Sequence, residues 1–151
     1  MAKFWGITIW LAVVTGLLCV SALHPKKHIV RIPYSESTQR FVVLGQIGGR
    51  NGPIDVEFMV DTGADSVVIT QKLADELGLD RTNWRKAKTA YGEIASPVYL
   101  LPEVRVGDIV VKDVTMNVMP SGFFDINVLG MSFLSELKRF EFKKGVLTLE
   151  Q

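Results

Sequence analysis

A carboxylate stands between two apolar runs in the stretch Glu57 to Ile69, which reads EFMVDTGADSVVI. Asp61 follows Phe58-Met59-Val60 and is followed by Thr62 and Gly63. A strand ending there would deliver the acid at the rim of a buried surface. Gly63 would let neighbouring backbone approach closely, and the Thr62 hydroxyl would fix the loop. If this carboxylate is catalytic, what it lacks is a second. Two carboxyls about 3 Å apart cannot both ionise, so they share a proton and work together as acid and base. The chain has no second Asp-Thr-Gly or Asp-Ser-Gly, and Asp108, Asp113 and Asp125 lack the Ser/Thr-Gly that builds the loop. The partner is therefore expected from a second copy, because a two-fold dimer supplies the same residue from each subunit. Asp-Thr-Gly is also a good turn tripeptide in its own right, so its meaning depends on what surrounds it.

Other chemistry has little to work with. The single cysteine, Cys19, cannot form an internal disulfide. The two histidines, His24 and His28, have no third ligand near them in sequence, which argues against a zinc site and against a Ser-His-Asp triad. No cofactor and no metal are expected. A formal net charge of +1 gives no electrostatic case for a nucleic-acid partner. The basic clusters Arg81-Arg85-Lys86-Lys88 and Lys138-Arg139-Lys143-Lys144 read as solvated faces.

The elements that must hold Asp61 are short strands with turn punctuation. RFVVLGQIGG is a strand running into the Gly/Asn/Pro turn GGRNGP. In IDVEFMV, Ile54, Val56, Phe58 and Val60 share one face, the pattern of a half-buried strand ending at Asp61. Thr70 is placed to cap a helix with Leu73, Ala74 and Leu77 on one face and Gly78 at its end. Gly92, Pro97, Pro102 and Gly107-Asp108 are expected to divide the next run into strands and hairpins. INVLG reads as a buried strand, MSFLSELKRF as a short helix capped by Ser132, and EFKKGVLTLEQ as a final hairpin. Strand, Gly turn and helix thus occur twice, once after FMVDTG and once after INVLG. The expected class is mostly β with one or two short helices.

Ahead of this lies Phe4 to Leu23, twenty positions without a charge. That is long enough to cross about 30 Å of hydrocarbon as one transmembrane helix. A cleaved signal peptide, with Val20-Ser21-Ala22 as its small-residue site, is the alternative. The length favours an anchor, giving residues 1–27 as anchor and basic linker and 28–151 as the domain. Lys26, Lys27 and Arg31 argue for a cytoplasmic domain, whereas the short N-terminal tail has the form of an export signal. An extracytoplasmic domain on a bacterial inner membrane is the expectation adopted.

VDTGADSVVI, LADELGL, TAYGEIASP and VLGMSFL together resemble the retropepsin-like aspartic proteases, over roughly Arg40 to Leu149. The likeness is greatest to bacterial, membrane-anchored, single-domain members. It implies a closed β-barrel or sandwich that acts as a homodimer on protein or peptide. Asp61 would be the catalytic residue, with Thr62, Gly63 and Ala64 completing its loop. Asp65 would bind substrate backbone. Ala90, Tyr91 and Gly92 would lie at the tip of a hairpin flap over the substrate. Leu129 and Gly130 would form a second, non-catalytic loop behind the first. Two positions depart from the viral pattern: Met131 replaces the arginine that would pair with Asp65, and the flap has only Gly92. Ala64 has no hydroxyl to donate to the carboxylates, which implies a mildly acidic optimum. The implied activity is endopeptidase, the alternative being a membrane-anchored binding or dimerisation module of the same fold without turnover.

Overall fold

The computed structural model describes residues 27–37, 39–49, 52–79, 84–89, 92–123 and 125–151. The apolar run Phe4–Leu23 lies outside them. Among the described residues no helix is long and apolar enough to cross a membrane.

Ten strands and two short helices make up the described chain. The strands are β1 (Ile29–Ser35), β2 (Arg40–Gly49), β3 (Gly52–Val60), β4 (Val67–Thr70), β5 (Trp84–Thr89), β6 (Gly92–Val106), β7 (Ile109–Met119), β8 (Asn127–Leu129), β9 (Arg139–Lys143) and β10 (Val146–Glu150). The helices are α1 (Gln71–Glu76) and α2 (Met131–Leu134). The sheet runs β5-β6-β7-β4-β8-β3-β2-β1-β10-β9, and an extra pairing of β6 with β2 closes six strands, β2, β3, β8, β4, β7 and β6, into a barrel. β1, β10 and β9 continue the sheet beyond it.

The barrel closes because alternating apolar residues of each strand fill one interior. Val56, Phe58 and Val60 of β3 are buried and Ile54 packs against them. Ile47, Val67, Ile69, Val104, Met116 and Leu129 from the other strands complete that core. Each such side chain, fully buried, contributes roughly 1.5–3 kcal/mol. α1 is capped by Thr70, whose Oγ1 accepts from the Leu73 amide at 3.3 Å. Leu73, Ala74 and Leu77 are buried beneath it, and Gly78, at φ 67°, turns the chain out.

Two expectations need correction. Ser132 does not cap α2: the N-cap is Gly130 with no side-chain cap bond, and the helix is only four residues long. Pro97 and Pro102 do not divide their run either, since both lie inside the 15-residue strand β6. Pro97 falls where β6 passes from pairing with β5 to pairing with β7. At Pro102, which has no N–H to give, the ladder to β7 skips one pair. The residue across from it, Asp113, takes φ 53°. Burial along both strands changes phase there, so the β6–β7 ribbon turns a corner of the barrel instead of ending.

Candidate active site

β3 and β8 lie side by side and parallel, with Val60 opposite Leu129. Both strands end in loops at the same level. The Asp61 amide donates to Leu129 O at 3.2 Å and the Met131 amide donates to Ala64 O at 2.8 Å, so the two loops are joined by backbone at both ends. Within the first loop the Ala64 amide donates to Asp61 O at 3.3 Å. The Gly63 amide donates to Asp61 Oδ1 at 2.8 Å, which fixes the carboxylate's rotamer. Asp61 Oδ2 takes no hydrogen bond among the described residues. The carboxylate is thus held by its own loop on one oxygen while the group is half-buried at the barrel rim.

Gly130 explains why the second loop can come so close. A Cβ there would sit 2.2 Å from Ser66 O and 2.7 Å from Ala64 O, both backbone atoms. Its φ of −99° is ordinary, so the demand for glycine is steric.

Polar side chains stitch the strands beneath these loops. Ser132 Oγ accepts from the Val67 amide at 2.9 Å and donates to Thr115 O at 2.7 Å, bridging β4 and β7. Asn117 Nδ2 donates to Ser66 Oγ at 2.7 Å, a second link between the same two regions. Asn127 Oδ1 accepts from the Thr70 amide at 3.1 Å, and its Nδ2 donates to Glu57 O at 3.4 Å. Sequence reading did not single out Asn117, Asn127 or Ser66, and gave Ser132 a different task. Their only signal was a small polar residue within an apolar stretch, Asn in INVLG and Asn in TMNVM.

The remaining expected site residues fall as follows. Thr62 and Gly63 are exposed beside Asp61, and Ala64 is half-buried. Asp65 is exposed and makes no ion pair among the described residues, while Met131 packs against the core. Ala90 and Tyr91 lie outside the described residues. Gly92 opens β6 at φ 106° and pairs with Thr89, so β5 and β6 form a hairpin that stands off the barrel at the end of the sheet. Asp61, the Thr62–Ala64 loop and Leu129-Gly130 are brought together; the hairpin is a separate element.

Residues 43–136 match the family model described as "gag-polyprotein putative aspartyl protease". This chain belongs to the retropepsin-like aspartic protease family. Two bacterial proteins are among its relatives. An uncharacterized protein encoded in the cobV 5' region of Sinorhizobium sp is 33% identical over 98 residues, covering 63% of this chain and 42% of that protein. The chain thus spans less than half of that relative's length. An uncharacterized protein of Rickettsia prowazekii is 30% identical over 160 residues, covering 96% of this chain and 68% of the relative. The crystal structure of a retropepsin-like aspartic protease from Rickettsia conorii superposes with a TM-score of 0.64 at 28% identity, covering 83% of this chain and 91% of that one.

Proposed function

We propose that this retropepsin-like protein is an aspartic endopeptidase whose reactive pair is Asp61 from each of two copies. The observation that carries the reading is the Asp61 loop itself. One carboxylate is presented at the rim of the barrel, fixed on one oxygen by the Gly63 amide, and the sequence has no second loop of that kind.

In the dimer one Asp61 is ionised and the other protonated. The ionised carboxylate takes a proton from a water held between them, and the water oxygen bonds to the peptide carbonyl carbon. The protonated partner gives its proton to the carbonyl oxygen, so the tetrahedral intermediate forms as a neutral diol. The Asp61 that took the water proton then gives it to the nitrogen while the other, now ionised, takes a proton from a diol hydroxyl, so the C–N bond breaks, the amine and the carboxylic acid leave, and the pair again shares one proton. Asp65 and the β5–β6 hairpin with Ala90, Tyr91 and Gly92 are assigned to peptide binding in this scheme. The same reading tethers the domain by Phe4–Leu23, on the strength of that segment's uncharged length, and puts it outside the cytoplasm of a bacterial cell because the short tail ahead of that segment has the form of an export signal. Protease shaving of spheroplasts tests the placement: a domain that stays protected until lysis is cytoplasmic.

Peptide cleavage by the full chain is the direct test of activity. Asp61→Asn keeps the Gly63 contact and removes the acid–base pair, so cleavage should fall by at least about a thousandfold while the melting temperature holds. Cleavage that survives the substitution would exclude the mechanism. A folded dimer that cleaves nothing, with or without Asp61, would instead assign the fold to binding.

A further inference from the structure

Asp61 does not stand alone on its face of the sheet. Successive side chains of a strand point to opposite faces, and paired residues share one. Met59 pairs with Val128, Val128 with Val68, Val68 with Asn117 and Asn117 with Val98, so one row crosses β3, β8, β4, β7 and β6. The barrel core takes Val60, Leu129, Val67 and Met116, and Tyr99 packs against it. The row therefore lies on the opposite face, where Met59, Val68, Asn117 and Val98 are half-buried. Asp61 and Ser66 stand two positions beyond this row toward the loops and face the same way, Asp61 after Met59 and Ser66 before Val68.

Ser66 is 6% exposed, and its Oγ accepts from Asn117 Nδ2 at 2.7 Å. That single bond does not satisfy the pair. Among the described residues the Ser66 hydroxyl proton has no acceptor and the Asn117 carbonyl has no donor. Turning the Asn117 amide over exchanges the atoms but still leaves a donor and an acceptor open. Nearly all buried polar groups are partnered. An open donor and acceptor side by side, in an apolar row next to Asp61, call for a ligand that supplies both.

We propose that Ser66 and Asn117 form a recess that reads one side chain of the peptide cut at Asp61, and that the side chain it selects ends in a primary carboxamide, asparagine or glutamine. A carboxamide accepts through its oxygen and donates through its nitrogen, the two things the pair lacks. Val68 and Val128 suit the methylene groups that carry it. A leucine of similar size would fill the recess and leave a donor and an acceptor unmet. A carboxylate brings acceptors alone, and Asp61 and Asp65, just before Ser66 in sequence, carry the same sign of charge. An ammonium brings donors alone. Selection is strong where a site is built to hydrogen-bond, because an analogue lacking the group strands the site's own polar atoms. That the ligand is a peptide rests on the reading of Asp61 given above.

The test is binding, read in the full chain carrying Asp61→Asn, in detergent, so that nothing is cut. Decapeptides of one apolar frame carry glutamine, asparagine, leucine, glutamate or lysine at each position in turn. At one position of the frame a carboxamide should bind at least about tenfold tighter than leucine, glutamate or lysine. Ser66→Ala should bring glutamine and leucine to within about threefold of each other. Asn117→Asp should replace the preference by one for lysine, which a purely structural bond between the two residues would not produce. Each ratio compares two peptides on one variant, so an unfolded fraction cancels. Leucine equal to the carboxamide at every position, no binding of any peptide, or a glutamine preference unchanged by both variants would overturn the recess. Selective binding by a chain whose wild type cleaves nothing would keep the recess and remove the protease reading. Cleavage without selectivity would do the reverse.

Discussion

The loops after β3 and β8 are neighbours of matched position and opposite use. Each follows a parallel strand, Val60 beside Leu129, and each leads toward a short helix. The first carries a carboxylate with its Oδ1 held by the Gly63 amide. The second carries no ionisable group: Gly130 has no side chain, and the Met131 amide reaches Ala64 O. One strand end presents the reactive group and the other supports it. With one Asp-Thr-Gly carboxylate at the end of β3 and none at the end of β8, the chemistry proposed above draws its second acid from another copy. The supporting loop is also the sterically tighter of the two. A Cβ at Gly130 meets fixed backbone at 2.2 Å, whereas one at Gly63 meets the Asp61 carboxylate oxygen at 3.2 Å.

That contrast can be broken in order of expected effect. Gly130→Ala should be the most damaging change to the fold, about 3 kcal/mol or more by denaturant unfolding, because neither neighbouring carbonyl can move freely. Gly63→Ala keeps the amide that fixes Asp61 and should lose activity with a much smaller loss of stability. Equal losses of stability from the two would remove the distinction between a supporting and a presenting loop.

Ser132→Ala is the next test. It leaves the Val67 amide and Thr115 O without their shared partner, and should cost roughly 1–3 kcal/mol. The β4 segment following the Asp61 loop is loosened too, so kcat should fall more than KM rises. Ser132→Thr should recover most of both.

The smallest effect is expected far from the loops, at Glu150. Its side chain is only 5% exposed, and it pairs with Lys27 at 3.0 Å, Arg139 at 2.9 Å and Lys138 at 3.8 Å. The contact with Lys27, with Arg139 adding to it against the opposing effect of burial, holds this carboxyl below its ordinary range. A carboxyl depressed in the folded state stabilises the fold above its unfolded pKa, and the contribution is lost as pH falls through the folded value. Glu150→Gln should therefore melt below wild type at neutral pH, and the two curves should converge in acid. A gap that persists unchanged into acid would show that packing, not charge, is what Glu150 supplies.

Much of this arrangement was legible from local sequence. The alternation of Val56, Phe58 and Val60 marks the strand that ends at Asp61, Thr70 marks the start of α1, and Gly107-Asp108 marks the turn between β6 and β7. Those signals depend on residues a few positions apart. What stayed hidden depends on long-range partners. Ser132 looked like a helix cap because serine before an apolar run so often is one. Its hydroxyl instead serves Val67, 65 positions earlier, and Thr115. Asn127 and Asn117 acquire their roles only when β8 and β7 come beside β4. Pro102 reads as a strand breaker until Asp113, across the hairpin, is seen to take the positive φ that lets the ribbon bend.

The central claim, that two copies contribute one Asp61 each to a single site, is tested by mixing. Wild-type and Asp61→Asn chains are co-refolded at fixed total concentration, and peptide cleavage is followed against the wild-type fraction. If both carboxylates are required, mixed dimers are inactive and activity follows the square of that fraction, about one quarter at an equal mixture. Activity that falls in direct proportion, to about one half, would mean that a single chain carries a complete site, and would contradict the account.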